Sequence, residues 1–266
     1  MLIVAERINA TRKSIREALE KKDTDFFVQE AQRQSQAGAH YIDLNAGTEA
    51  TREVDDLKWL VEVVQDVVAI PVCLDSANDR ALEEALKVYR KKEVMINSFT
   101  AEKERIEVLL PIARDSGADV VGLAMGEGGI PQSVGDRMKL VDVLVEACDQ
   151  YGIDLGKLWI DPLVVPIGTD QNQGRIFLET LVAIPAKYPK VRTICGLSNI
   201  SFGMPNRKLI NRAFAGLCVG YGLGGAIIDP LDRSLMSILY ASEALMGQDE
   251  FCMNYLGAFR SGCLEK

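Results

Sequence analysis

The sequence predicts an α/β protein built as a (β/α)8 TIM barrel, a single domain over residues 1–266 with an extra C-terminal helix. Three observations carry this expectation. Short apolar, β-branched runs recur and stop abruptly on an acidic or amide side chain, as in I-P-V-C-L-D-S at residues 70–76. Runs of this kind read as strands covered on both faces, as parallel strands are. Segments with apolar residues at helical spacing separate them, at about 30 residues per unit, the size of one βαβ step. The length of 266 residues suits one barrel.

In order, residues 2–8 form the first strand, and residues 12–37 carry a helix with Ile15, Leu19, Phe27 and Ala31 on its apolar face and Gly38 as its stop. Strand two covers 41–44, and the next helix runs through Leu57, Leu60, Val61, Val64 and Val67. Strand three is 70–76, followed by a helix with Leu82, Ala85, Leu86 and Tyr89. Strand four covers 94–97, and a helix with Ile106, Leu109, Leu110 and Ala113 ends at Gly117. Strand five, 120–125, leads into a glycine-rich loop at 126–133, then a helix over 137–151. Strand six is 158–161, with a polar loop before a helix starting near Gly174. Strand seven is 193–197, and its helix runs from near Asn206 to about Gly220. Strand eight is 225–228, and the last barrel helix runs from about Asp232 to Met246. Phe251, Tyr255 and Phe259, at helical spacing, predict an extra helix covering the barrel.

Composition narrows the function. The net charge of -8 and the lack of a Lys/Arg-rich run argue against a nucleic-acid partner. Six cysteines without a C-x-x-C pair, four of them in apolar runs, suit a reducing compartment. The first residues show neither a basic leader nor a membrane span, so the expected location is the cytoplasm.

The strand ends hold the candidate chemistry: Asp43 and Asn45, Asp75, Asn97, Asp161, Ser198 and Asn199, and Asp229. A barrel gathers the carboxyl ends of its strands at one mouth. Carboxylates alone could hold a divalent cation there, and any one of them could simply cap a helix. Amides interspersed among them suit a flat heterocycle with alternating donors and acceptors, so no metal is expected. His40, the only histidine, precedes strand two and belongs to the stability face. Gly220, Gly222, Gly224 and Gly225 follow a helix and precede a strand, the reverse of a dinucleotide fingerprint, and read as a tight turn.

At these residues the sequence resembles the pterin-binding methyltransferases that move a methyl group between tetrahydrofolate and a corrinoid protein. The likeness spans the chain and is densest in E-R-I-N (6–9), D-L-N-A-G (43–47), C-L-D-S (73–76), M-I-N-S (95–98), I-D-P-L (160–163), G-L-S-N (196–199) and N-R-K-L-I-N-R (206–212). The resemblance implies that methyltetrahydrofolate is the substrate and that cobalamin, a corrinoid, is carried by a partner protein. It implies that Asp75, Asn97 and Asp161 hold the pterin ring, with Gly196 and Ser198 beside it. Asn199 is then the catalytic residue near N5, and Arg207 faces the p-aminobenzoate and glutamate side. Glu6, Asp43, Asn45, Ile227 and Asp229 complete the wall. The loop at 126–133 and residues 202–205 are the expected rim for the partner. A homodimer is expected, since the family often forms one. An acetogenic corrinoid iron-sulfur protein and the corrinoid subunit of an O-demethylation system would need the same pocket. The alternatives are a dihydropteroate synthase-like enzyme and a noncatalytic pterin-binding or corrinoid-docking subunit. A dihydropteroate synthase commonly places a Lys at the end of strand seven and an Arg with a His after strand eight; Ser198, Asn199 and Asp229 stand there instead.

Overall fold

A computed structural model describes residues 1–265. Its strands β1 (Leu2–Asn9), β2 (Tyr41–Asn45), β3 (Val72–Asp75), β4 (Val94–Thr100), β5 (Asp119–Leu123), β6 (Leu158–Asp161), β7 (Arg192–Gly196) and β8 (Gly225–Ile228) close in sequence order into one barrel. All neighbours pair parallel, including β8 with β1. Around them run α1 (Lys13–Glu20), α2 (Thr24–Gln36), α3 (Ala50–Gln65), α4 (Asp79–Val88), α5 (Lys103–Ser116), α6 (Val134–Gln150), α7 (Gln173–Lys187), α8 (Arg207–Gly220), α9 (Arg233–Leu245) and α10 (Met253–Arg260). No helix among the described residues is long and apolar enough to cross a membrane.

The pleat divides each strand between two cores. In β3, Val72 and Leu74 point outward into the cluster shared with the helices, while Cys73 belongs to the cluster inside the barrel. Side chains alternate with period two, so Asp75 shares the inner face with Cys73. The same parity relates Glu6 to Val4, Asp43 to Tyr41, Asn97 to Met95, Asp161 to Trp159, Gly196 to Ile194 and Asp229 to Ile227, whose apolar members all pack in the inner cluster. The filled interior below thus fixes which strand-end residues face the mouth.

Four local expectations are corrected. The segment at 12–37 is two helices: Lys22 turns through φ +50°, and the Asp23 carboxylate accepts the Phe26 N–H to restart the helix as α2. Lys22 is held there by an ion pair with Asp56 and by lying over the Trp59 ring. Strand three begins only at Val72, because Pro71 has no N–H to give to a ladder. Strand four continues to Thr100 through a register slip between Asn97 and Phe99, which buries Phe99 against Gly122. The C-terminal aromatics do not cover the barrel: Phe251 and Phe259 are exposed, and α10 meets α9 through buried Ala258.

His40 does lie at the amino end, its Nδ1 accepting the Ile3 N–H at 3.1 Å. The glycine turn is a matter of close approach, since a Cβ on Gly224 would stand 2.9 Å from the Thr193 carbonyl oxygen. Gly224→Ala is expected to destabilise the protein by about 1–3 kcal/mol, an overpacking cost. Urea unfolding measures it, and an unchanged midpoint would show that the β7–β8 turn gives way freely.

Candidate active site

At the carboxyl ends, β2, β3 and β4 set four polar side chains side by side on the inner wall. Asn97 stands in register with Asp75, and Asn45 Nδ2 donates to Asp75 Oδ2 at 2.8 Å. Asp43 lies one layer deeper, 1% exposed, where the Cys73 thiol hydrogen-bonds it. Asp43 Oδ1 and Asn45 Oδ1 are buried without a hydrogen-bond partner among the described residues. Burial, reinforced by the charge of Asp75, pushes the Asp43 carboxyl well above the usual range. Asp75 is also raised by burial, but its hydrogen bond from Asn45 opposes this. Burial thus favours the neutral acid at both positions, opposed by the Cys73 thiol at Asp43 and by Asn45 at Asp75.

On the β6–β7 side, Asp161 is 8% exposed and accepts the Leu163 N–H at 2.7 Å. Burial pushes it up to about 7, against the pull of the Leu163 and Gly196 N–H groups and of Arg137. Gly196 pairs in register with Ile227 of β8. Beyond Gly196 the chain makes a 3-10 turn, Leu197–Ser201, that carries Ser198 and Asn199. Asn199 is exposed, and its amide lies close above Gly196, 3.4 Å from where a Cβ would be. Arg207 braces this turn from behind: Nη2 donates to the Ser198 carbonyl at 2.9 Å and Nε to Ser201 Oγ at 3.0 Å.

The β1–β8 side is an ion-pair wall. Arg7 joins Glu30 to Asp229, meeting Asp229 Oδ2 at 2.8 Å. Arg12 donates to Glu6 Oε1 at 3.0 Å. Burial raises the Glu6 carboxyl, while Arg12 opposes it. The sequence-derived site residues therefore share one mouth but fall into two groups: the acids Asp43, Asp75 and Asp161, interspersed with the amides Asn45, Asn97 and Asn199, make no ion pair among the described residues, whereas Glu6 and Asp229 are paired with arginines. Among the described residues no three His, Cys, Asp or Glu side chains are gathered as for a metal ion.

Sequence reasoning missed Arg7 and Arg12 as partners of the wall, Glu53, which accepts the Ser76 hydroxyl, and Arg137, which is fully buried beside Asp161. Arg7 sits inside the E-R-I-N motif, which was a usable signal. Arg137 reads as an ordinary helical charge, and nothing in its spacing marks it.

Asp161 links the site to stability. Its value in the folded chain lies above that of an unfolded aspartate, so the folded state binds the extra proton between about pH 4 and about pH 7. Stability from this group falls as pH rises through that window and is level above it. Asp161→Asn is expected to flatten this slope and to raise stability near pH 8 by about 1–3 kcal/mol, measured by urea unfolding across pH. A variant with the wild-type slope would show that Asp161 does not titrate there.

Comparison with known proteins places the chain. The family described as pterin binding enzyme matches residues 5–229. A methylcorrinoid:tetrahydrofolate methyltransferase of Eubacterium limosum is 34% identical over 264 residues, covering 98% of this chain and 97% of that protein. The methionine synthase of Mycobacterium leprae is 31% identical over 86% of this chain, which corresponds to 20% of that longer protein. Among solved structures, the 7,8-dihydropteroate synthase of Vibrio fischeri ES114 superposes with a TM-score of 0.71 at 16% identity, covering 93% of each chain, a likeness of fold. With the family match running from β1 to the end of β8 and a full-length relative above 30% identity, the chain belongs to the pterin binding enzyme family.

Proposed function

We propose that the chain transfers a methyl group between N5 of tetrahydrofolate and the cobalt of a corrinoid held by a separate protein. One observation carries the choice of ligand: Asp75, Asn97 and Asp161 line the inner wall as acid, amide and acid, and the unpaired Asn45 Oδ1 adds an acceptor next to them. The 2-amino-4-oxo pyrimidine edge of a pterin offers adjacent N–H donors that a carboxylate takes in parallel, while an amide meets mixed edges. The full-length relative's name, methylcorrinoid:tetrahydrofolate methyltransferase, supports the reaction class.

In this reading Asp75, Asn97 and Asp161 fix the ring, and Gly196 leaves room for Asn199 to approach it. The transfer is a displacement at the methyl carbon. The electron pair of cob(I)alamin forms the cobalt–carbon bond, and the pair of the breaking C–N5 bond stays on nitrogen, which takes up a proton. Without that proton N5 would leave as an amide anion. Ordered water delivers that proton, and Asn199 Oδ1 accepts a hydrogen bond from the resulting N5–H as the bond breaks. The exposed position of Asn199 suits a methyl group that must remain accessible to a docked corrinoid. The reverse direction uses the same contacts, so the partner, acetogenic or O-demethylating, sets the flux.

The dihydropteroate synthase reading requires cations for a departing pyrophosphate. Here Arg7 and Arg12 are engaged by Glu30, Asp229 and Glu6, and Arg207 is tied to the turn it braces. We also propose that two copies pair through α7 and α8, where exposed Leu209, Leu217 and Tyr221 flank a groove of about 530 Å³, and that the enzyme works in the cytoplasm.

Methyl transfer from methyltetrahydrofolate to free cob(I)alamin is the direct test; folate binding without transfer to any reduced corrinoid would favour a noncatalytic subunit. Asn199→Ala should lower turnover far more than folate affinity, and equal loss of both would remove Asn199 from the chemistry. Asp75→Ala should weaken binding by about 1.5–3 kcal/mol, the worth of a charged hydrogen bond, and calorimetry showing wild-type affinity would refute its placement. Leu217→Glu should turn the dimer into a monomer on light scattering; a wild-type protein that is itself monomeric would end the pairing proposal.

A further inference from the structure

We infer that Arg137 is a positioning residue for the Asp161 side of the pocket: one buried guanidinium ties the loops after β5 and β6 to the start of α7 and supplies the positive charge that faces Asp161. The inference rests on the pterin reading above in one respect, that Asp161 meets the ring.

Arg137 lies in the first turns of α6, where the sequence would ordinarily leave an arginine in water, yet its exposure is 0%. Its hydrogen bonds all go to neutral oxygens. Nε donates to the Pro131 carbonyl at 3.0 Å, Nη1 to the Pro162 and Leu163 carbonyls at 2.9 Å each, and Nη2 to Gln173 Oε1 at 2.9 Å. Gln173 extends the network through Nε2 to Gln132 Oε1 at 2.6 Å and Asp170 Oδ2 at 3.1 Å. Three pieces of chain are thereby held by one planar fork, namely the end of the 126–133 loop, the two residues after Asp161 and the α7 N-terminus, and Gln173 adds Asp170 of the loop before α7.

A buried cation without a carboxylate in direct contact is costly, and an apolar side chain of similar volume would pack there at least as well. Its benefit must lie in what it holds. The two carbonyls on Nη1 belong to the residues directly after Asp161, and Leu163 sits at φ +68°, a conformation that a leucine adopts only where its surroundings impose it. In that conformation the Leu163 N–H reaches back to Asp161 Oδ1. Arg137 thus sets the aim of the Asp161 carboxylate through the Pro162–Leu163 turn.

Charge acts in the same direction. On the inner face β5 presents Val121 and Leu123 and β7 presents Ile194 and Gly196, while Cys195 packs outward against the helices, so among these neighbours the charge that acts on Asp161 comes from Arg137 of α6. Arg137 is the one opposing charge among them and lowers the Asp161 carboxyl against its burial. Removing it leaves the acid protonated to higher pH, so the anion that accepts pterin N–H groups appears later on a pH titration.

The experiment measures methyltetrahydrofolate affinity by calorimetry from about pH 6 to about pH 9, with limited proteolysis of the 126–133 loop in the unliganded protein, for wild type, Arg137→Gln and Arg137→Lys. Arg137→Gln is expected to move the pH midpoint of binding upward by about one unit and to weaken neutral-pH affinity about tenfold, with faster cleavage of the loop. Arg137→Lys keeps the charge and loses the fork, so the midpoint should stay while the loop is cleaved faster. Wild-type midpoint, affinity and cleavage in Arg137→Gln overturn the inference. Should that variant not fold, unchanged cleavage in Arg137→Lys overturns it alone. Wild-type protein that binds no folate at any pH would sink the pterin reading instead, and the proteolysis comparison would still judge the clamp.

Discussion

Keeping the carboxyl groups of Asp43, Asp75 and Asp161 on the inner wall of a closed barrel costs free energy that the chain itself does not fully recover. Asp43 Oδ1 and Asn45 Oδ1 have no partner among the described residues, and an unsatisfied buried polar atom costs about 1–3 kcal/mol. Asp161 is pushed up to about 7, so it is held at the edge of ionisation rather than stabilised as an anion. The apolar clusters inside and outside the strands must offset these costs, and they contain nearly all the buried Leu, Ile, Val and Phe side chains. Such a wall is a poor way to stabilise a barrel and a good way to prepare one for a ligand rich in N–H groups, because binding then relieves a defect in the free protein.

The opposite side of the mouth is built on the contrary principle. Glu6 and Asp229 are matched by Arg12 and Arg7, and Arg7 is itself anchored to Glu30 of α2. These partly exposed pairs add little to stability, but they engage the Glu6 carboxylate of β1 and the Asp229 carboxylate just past β8. In the proposed function this asymmetry orients the flat ring, with its donor edge toward β2, β3, β4 and β6.

Much of this was legible in the sequence because a strand's pleat has a fixed period. Once V-C-L-D and L-W-I-D are read as strands, the parity that places Cys73 and Trp159 inside also places Asp75 and Asp161 inside, and closure of the barrel brings them to a common opening. The break at Lys22, the slip that extends β4 to Thr100, and the outward-facing Phe251 and Phe259 were not legible, since each depends on what a neighbouring element offers: Trp59 and Asp56, Gly122, and a contact made through Ala258. Pairing of charges was hidden for the same reason. Arg7 and Asp229 are 222 residues apart in sequence, and no periodicity connects them.

Asn199 differs from the acids in its setting as well as in its chemistry. The acids project from strands locked by ladders on both sides, whereas Asn199 rides on a 3-10 turn with an exposed side chain. In the proposed methyl transfer the ring must stay still while N5 changes from a methylated tertiary amine to a neutral secondary one, so the groups proposed to bind the ring and the group proposed to follow N5 have opposite requirements. A rigid wall serves the first. A short turn serves the second, provided that it cannot drift away, and the two hydrogen bonds of Arg207 to Ser198 and Ser201 supply that limit. In the proposed function Arg207 therefore acts by where it keeps Asn199, through the turn that it braces.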